Sequence, residues 1–510
     1  MSKLSRRDFL KLAALTPAAM AFSSVAQNLQ SLKIQGGNPL TNVIILVFDA
    51  MSARNMSLYG YPRRTTPNLG RFAERATVYH AHHSAGNFTT PGVASLLTGM
   101  YPWSHRAINL KGLMARDLVE RNLFHLAGEE YHRLAYSQNI LANFLLNQVY
   151  DDIDTYLPPG LFSTIDGLVG AKYRNDLNAA YRTYDDFLFN AKATLTASML
   201  FGLLDRLYLS YKVKRTPANE YPKGLPHIIN YPIHFRTADI FDGLISLLTR
   251  LSSPSLAYIH IFPPHGPYRP TKDFNDIFQD AWHPVSKPPN PLGEEASDKK
   301  LNGSRRIYDA YVANVDAEFG RLLDALDDSG VLDQSYVIVT SDHGEMFERG
   351  EIGHGTLMLY EPEIHIPLLV SAPGQKIRKD VYSPTSCVDI MPTLLHILGK
   401  EIPDWCEGAL LPGLGGYENF TRVDFAVQAK TNPAFAPLKT ATLAMFKGQY
   451  KLIHYIGYRE PKYTDAYELY DLKNDPEELN DLYSSGQAMV QELQAELEEK
   501  IYQVNKPFLR

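Results

Sequence analysis

Cysteine is scarce. Cys387 and Cys406 are the only 2 in 510 residues, too few for a disulfide framework, and one bridge or two buried thiols are both open. Strong charge of either sign is also missing: 50 Lys and Arg stand against 56 Asp and Glu, a formal charge of −6, so no basic excess marks a nucleic-acid binder. No segment after the N-terminus reads as a membrane span. The richest apolar run, Leu195 to Tyr211, is broken by Asp205 and Arg206 and reads as a buried or surface-seeking amphipathic helix. Internal repeats and low-complexity tracts are absent too. At 45% hydrophobic and 21% charged, the composition is that of an ordinary globular chain, long enough for one large core and a smaller appended unit.

The N-terminus carries a message of its own. Ser5-Arg6-Arg7-Asp8-Phe9-Leu10-Lys11, followed by the apolar stretch Leu12 to Phe22 and by Ser24-Val25-Ala26, reads as a twin-arginine export signal over 1–26. The expected location is periplasmic or secreted, with the twin-arginine export machinery as a partner.

Past a polar linker at Gly36-Gly37-Asn38-Pro39, the unbroken apolar run Val43 to Phe48 suits a strand buried on both faces of a parallel sheet. Asp49 closes it, at the strand end where open α/β sheets place their ligands. Thr66 or Asn68 starts a helix through Ala73, and Thr77 to His80 is a second strand. His82 and His83 read as loop or packing residues. A turn then leads into a small-residue helix, Asn87-Phe88-Thr89-Thr90-Pro91-Gly92-Val93-Ala94-Ser95-Leu96-Leu97-Thr98-Gly99, which sets the Thr89 hydroxyl at a helix N-terminus, where backbone N–H groups favour an anion. A Thr in that place also serves as a helix cap.

Further on, the pattern predicts a helix over 118–129 and a strand over 134–139 whose terminal Asn139 reaches toward the site. Residues 145–235 read as a mainly helical insertion, a lid or merely a packed appendage. Strands are expected over 255–262, 336–340 and 366–370, the first running into Pro264-His265-Gly266-Pro267-Tyr268 and the second into Asp342-His343. A helix over 304–326 carries Asp309 and Asp316, read as solvated or hydrogen-bonded. From 415 to 510 short alternating runs suit a small antiparallel sheet, closed by a helix over 486–503 with Glu492 and Glu496 beside Lys500.

Several segments recur in one order: Val43 to Asp49, Tyr59-Gly60-Tyr61, Thr66-Pro67-Asn68-Leu69, the Thr89 turn, Pro264 to Tyr268, Tyr308-Asp309, Ser341-Asp342-His343-Gly344-Glu345, Gly353-His354-Gly355 and Glu468 to Leu472. Together they resemble the sulfatase branch of the alkaline phosphatase superfamily. The resemblance implies an α/β fold with a central mixed, mostly parallel sheet flanked by helices, a catalytic domain over 40–414 and a small C-terminal α+β subdomain over 415–510. Two departures stand out. Where sulfatases carry Cys/Ser-x-Pro-x-Arg for conversion to formylglycine, this chain has Thr89-x-Pro91-x-Val93, and Asp49 is followed by Ala50 where many sulfatases have a second acid. What remains resembles the threonine-nucleophile members of the superfamily: phosphodiesterases, phosphoethanolamine transferases and lipoteichoic-acid synthases.

On that resemblance, Asp49, Thr89, Asp342 and His343 hold one divalent metal ion, which acts as a Lewis acid and activates the Thr89 hydroxyl. The nitrogen of His343 favours Mn²⁺ or Zn²⁺, with Ca²⁺ and Mg²⁺ still open. His265 and His354 bind a non-bridging oxygen or protonate the leaving alkoxide; Asn87 and Lys451 are further candidate contacts to the anion. The expected function is hydrolysis of a phosphodiester or phosphomonoester through a covalent Thr89 intermediate, on a small-molecule, glycan or lipid substrate. Alternatives are a sulfuric ester hydrolase, a phosphoethanolamine- or phosphoglycerol-type transferase, and a silent envelope-binding protein.

Overall fold

The computed structural model describes residues 41–165, 207–208, 210–213, 218–229, 231 and 233–509. The expected leader over 1–26, the linker at 36–39 and residues 195–206 of the richest apolar run lie outside the described residues.

Eight strands form the main sheet: β1 (Asn42–Asp49), β2 (Thr77–Tyr79), β3 (His132–Ser137), β4 (Thr155–Leu157), β5 (Ser255–Pro264), β6 (Ser335–Ser341), β7 (Leu368–Ser371) and β8 (Lys379–Val381). Their spatial order is β8-β2-β7-β6-β1-β5-β3-β4. Only β7 is antiparallel to its neighbours β2 and β6, and the other pairings are parallel. The mixed, mostly parallel sheet is thus as expected. β1 lies at its centre, and every residue of β1 is buried. The reason is visible in its alternation: Ile44, Leu46 and Phe48 enter one core cluster, while Val43, Ile45 and Val47 enter the other. A strand covered on both faces needs an unbroken apolar run.

Among the described residues seven longer helices flank the sheets: α1 (Pro67–Ala73), α2 (Thr89–Thr98), α3 (Ile140–Gln148), α4 (Thr237–Leu248), α5 (Asp298–Asp328), α6 (Ile390–Ile397) and α7 (Ala488–Asn505). α5 exceeds the expected 304–326, and of the two alternatives for Asp309 and Asp316 the hydrogen-bonded one is found, both side chains being buried. Asp309 accepts from Asn55, Tyr61 and Arg63, and Asp316 accepts from the backbone N–H groups of Asn68 and Leu69 at the start of α1. The helix expected over 118–129 is broken into a 3-10 turn, Arg116–Leu118, and a short helix, Leu123–Ala127, because the Asn122 side chain caps a fresh start by accepting from His125 N. The range read as an insertion from 145 begins inside α3 and includes β4, a strand of the main sheet. Its residues 166–206 lie outside the described ones.

The C-terminal segment forms a four-stranded antiparallel meander, β9 (Val423–Gln428), β10 (Ala441–Lys447), β11 (Tyr450–Ile456) and β12 (Asp465–Asp471). Val490, Leu493 and Leu497 of α7 share a core cluster with Leu443, Leu452 and Leu469, and also with Tyr101, Trp103 and Cys387 of the larger part. The expected intrahelical pairing at Lys500 is replaced by tertiary partners: Glu496 bonds Lys447, and Lys500 lies 3.8 Å from Glu407. Cys387 and Cys406 are two free thiols. Among the described residues no helix is long and apolar enough to cross a membrane.

Candidate active site

Four adjacent parallel strands, β6, β1, β5 and β3, deliver the site from their C-terminal ends, and the N-terminus of α2 closes it from above. Asp49 is the last residue of β1, Asp342 and His343 follow β6, His260 lies on β5 with His265 just past its end, and Asn139 stands two residues beyond β3. Thr89 opens α2 and is 2% exposed.

Tight backbone approaches hold these segments together. A Cβ on Gly92 would meet Asp342 O at 2.2 Å, and one on Gly344 would meet Pro362 O at 2.1 Å, so both positions need glycine. Ser84 Oγ donates to Asp342 O at 2.6 Å, and Ser341 Oγ links Phe48 O, His343 O and Met51 N. Ala50, standing where many sulfatases have a second acid, adopts a left-handed φ of 58° and donates its N–H to Asp342 Oδ1. Backbone there serves as a donor rather than a carboxylate as a ligand.

Thr89 Oγ1 lies 3.0 Å from Asn139 Nδ2 and 3.4 Å from His343 Nε2. Asn139 also donates to Asp49 Oδ2 at 2.5 Å, so one amide orients both the hydroxyl and the acid. His343 Nδ1 is 2.9 Å from Gly344 O. A carbonyl only accepts, which places the proton on Nδ1 and leaves a lone pair on Nε2. That lone pair faces Asp49 Oδ1 at 3.5 Å and Asp342 Oδ2 at 3.4 Å. From the other side His260 Nε2 lies 3.7 Å from both Asp49 Oδ2 and Asp342 Oδ2.

Asp49 Oδ1, Asp342 Oδ2 and His260 Nε2 are buried with no hydrogen-bond partner, and ligand atoms of these three residues lie within 4.8 Å of one another. Lone pairs and negative oxygens converging in a dry pocket are unfavourable unless a cation sits among them. Burial, followed by the Asp342 charge, raises the Asp49 pKa well above its usual value. Burial pushes Asp342 the same way, but His343 and His260 outweigh it and hold Asp342 low. The donor set fits a divalent metal: the Asp49 and Asp342 carboxylates converge with the His260 imidazole, His343 Nε2 stands 3.4–3.5 Å from both acids, and the Thr89 oxygen lies 3.4 Å from that nitrogen.

A second row of histidines stands over this set. The His343 and His354 ring centroids are 4.3 Å apart and those of His354 and His265 are 4.7 Å apart. His354 Nδ1 meets Glu345 Oε1 at 2.9 Å, and His265 Nδ1–H donates to Gly266 O at 2.6 Å. Burial, with His354 adding, brings His265 down to about 3, and burial brings His354 down to about 4. Both rings are neutral until an anion enters; an ester anion beside them favours the protonated form.

Two expected substrate contacts are corrected. Lys451 is fully buried, with Nζ bonded to Glu361 Oε1 at 3.1 Å and Glu478 Oε1 at 2.7 Å, so its charge is spent inside the protein. The cation that the C-terminal segment does bring near the histidines is Lys430, whose Nζ donates to Gly355 O at 3.0 Å and whose charge depresses His354. Asn87 is also fully buried, and its Nδ2 faces Thr356 O, Met358 O and Glu363 Oε2 rather than a ligand. His260, Glu345 and Lys430 are the residues that the sequence reading missed. His260 had one signal, an ionisable side chain inside the otherwise apolar run Ser255 to Phe262.

Residues 41–400 match the family described as Sulfatase, and residues 350–507 match that described as N-sulphoglucosamine sulphohydrolase, C-terminal. The chain is 31% identical over 510 residues to an N-acetylglucosamine-6-O-sulfatase of Bacteroides thetaiotaomicron, a match over 92% of this chain and 86% of that protein. It is 28% identical over 468 residues to a choline-sulfatase of Rhizobium meliloti, covering 86% of this chain and 82% of that one. The match to arylsulfatase K of Xenopus laevis, 30% identical over 207 residues, spans 38% of that protein's length. In fold the chain is similar to the phosphonate monoester hydrolase of Agrobacterium radiobacter, with a TM-score of 0.63 at 18% identity over 92% of this chain and 96% of that one. With a family match running over 360 consecutive residues, 41–400, and taking in Asp49, Thr89, Asp342 and His343, the chain belongs to the sulfatase family.

Proposed function

We propose that this chain is an exported, metal-dependent ester hydrolase that cleaves a phosphodiester or phosphomonoester with Thr89 as nucleophile. The observation that carries the proposal is the Thr89 hydroxyl, fixed 3.0 Å from Asn139 Nδ2 and 3.4 Å from His343 Nε2 beside two carboxylates with unpartnered oxygens. A divalent ion held by Asp49, Asp342, His260, His343 and the Thr89 oxygen supplies Lewis acidity and a lowered hydroxyl pKa. Two nitrogen donors favour Zn²⁺ or Mn²⁺ over Ca²⁺ and Mg²⁺.

Asn139 holds the Thr89 oxygen in line for attack. The Thr89 hydroxyl gives up its proton to solvent, the new bond joins Oγ1 to phosphorus, the ester P–O bond breaks, and the leaving oxygen takes a proton from His265 or His354, each protonated beside the bound anion. Water then attacks the phosphothreonine and restores the hydroxyl. Export rests on the twin-arginine pattern at Arg6-Arg7. The choline-sulfatase and N-acetylglucosamine-6-O-sulfatase relatives favour a second reading, a sulfuric ester hydrolase; against it stands Thr89 with Val93, in place of Cys/Ser and Arg.

The test is turnover of aryl phosphodiester, phosphomonoester, phosphonate monoester and sulfate by Zn²⁺- or Mn²⁺-loaded protein, with Thr89→Ala alongside. Phosphorus-ester turnover that falls on the order of 10⁴-fold in Thr89→Ala is expected. Sulfate turnover that survives Thr89→Ala overturns the nucleophile and the substrate class together.

A further inference from the structure

Three chain segments that do not adjoin in sequence must keep their mutual positions for the site to work: the turn before Thr89, the loop carrying His354, and the Asp342-His343-Gly344 segment. One buried side chain touches or borders all three. Glu363, in the short helix Glu361–Ile364, is 0% exposed. Its Oε2 accepts from Asn87 Nδ2 at 2.5 Å and from Thr356 Oγ1 at 3.1 Å, and its Oε1 accepts from Thr356 N at 3.3 Å. Its own carbonyl accepts from Gly344 N at 2.6 Å, and the carbonyl before it, of Pro362, accepts from Glu345 N at 2.9 Å. Asn87 completes the link through its backbone, since Asn87 O accepts from Gly355 N at 2.8 Å, and through its amide, which donates to Met358 O at 2.9 Å.

We infer that Glu363, with Asn87, is a positioning latch that fixes the His354 loop against the Thr89 turn, and so sets the distance between the histidine and the nucleophile. The inference rests on the hydrolase reading above. The reason a carboxyl stands there is stereochemical: one side chain with two acceptor oxygens meets donors from both segments at once, and the small helix beneath it is pinned to the metal-ligand turn by backbone bonds. Loss of the carboxyl leaves the buried Asn87 amide and the half-buried Thr356 hydroxyl without this partner and lets the 353–358 loop drift. Glu363 touches no substrate in this scheme and acts through His354. Burial, against the hydrogen bonds from Asn87 and Thr356, raises Glu363 to about 8.

The experiment compares Glu363→Ala, Glu363→Gln, Thr356→Val and His354→Ala, singly and with His354→Ala added to each of the others. In Glu363→Ala, kcat is expected to fall about tenfold to a hundredfold with KM and bound metal little changed, and in the His354→Ala background the same substitution should cost less than about threefold. Glu363→Gln, which keeps an acceptor and the shape, should recover most of the loss. Amide exchange over 353–358 should quicken in Glu363→Ala and Thr356→Val but not in His354→Ala. Thr356→Val removes one arm of the latch without touching Glu363, so it decides the matter should Glu363→Ala not fold. Unchanged kcat and unchanged exchange overturn the latch, as does full multiplicative loss in the double variants. Absence of turnover of every ester by wild type strikes the hydrolase reading alone, because the exchange measurement still reports on the latch.

Discussion

Two buried charge clusters, one around Lys451 and one around Asp49 and Asp342, differ in one respect. Around Lys451 the protein supplies both signs: the ammonium meets Glu361 and Glu478, and Glu361 N donates to Glu478 Oε2. Around Asp49 and Asp342 the described residues supply carboxylates and imidazole nitrogens and no lysine or arginine, leaving Asp49 Oδ1, Asp342 Oδ2 and His260 Nε2 without partners. A cluster closed on itself belongs to the architecture; a cluster closed only by something from outside is a binding site.

The contrast is broken most sharply by Asp342→Asn. Metal binding and ester turnover should both collapse, turnover on the order of 10³-fold or more, while the metal-free protein should be no less stable than wild type, because one of two like charges is gone. Metal analysis, kinetics and denaturant unfolding check the three parts. In wild type, Zn²⁺ at about 100 times its Kd should add about 2.7 kcal/mol of stability, and that gain should vanish in the variant.

Lys451→Met should do the reverse. It strands Glu361 and Glu478 in a dry interior, at an expected stability loss of about 3–5 kcal/mol, whereas bound metal and kcat per folded molecule stay at wild-type levels. Loss of metal with Lys451 would dissolve the distinction between the clusters.

A smaller effect is expected from pH. Burial raises Glu363 from 4.5 to about 8, so the folded state holds that proton more tightly than the unfolded chain. Its contribution is full below 4.5 and is lost as pH rises toward 8. The buried histidines act at the acid end. His105, brought down from 6.5 to about 3 by burial and Arg106, and His365, brought to about 3 by burial, stay neutral in the fold while the unfolded chain takes up protons. Stability therefore falls as pH drops from 6.5 toward 3. Unfolding free energy followed against pH should show a maximum between these limbs, and Glu363→Gln should flatten the alkaline one alone.

The smallest effect belongs to exposed charge. Arg71 and Asp324 form an ion pair with both side chains more than half exposed, and Arg71→Ala should change stability by less than about 1 kcal/mol.

Legibility in the sequence followed locality. Asp49, Asp342, His343 and His265 were readable because each stands where an apolar run stops, and Thr89 because a helix start follows it. His260 was not, since a single His inside Ser255–Pro264 has the same alternation as any core residue. Lys451 was misread for a related reason: β11 fixes that its side chain alternates with its neighbours, but not that Glu361 and Glu478 wait on that face. Asn87 was placed beside the nucleophile correctly and given the wrong partner, because Glu363 is 276 positions away.

By itself the sequence determined the strands, because an unbroken apolar run can be buried only between two layers, and it determined which side chains stand at strand ends and at the start of α2. Tertiary structure alone decided which charges are neutralised. Asp342 receives the N–H of Ala50 from 292 positions away, and Lys451 meets Glu361 from 90. A charge's role depends on what shares its dry surroundings, and that is set by packing between segments, which no local pattern records.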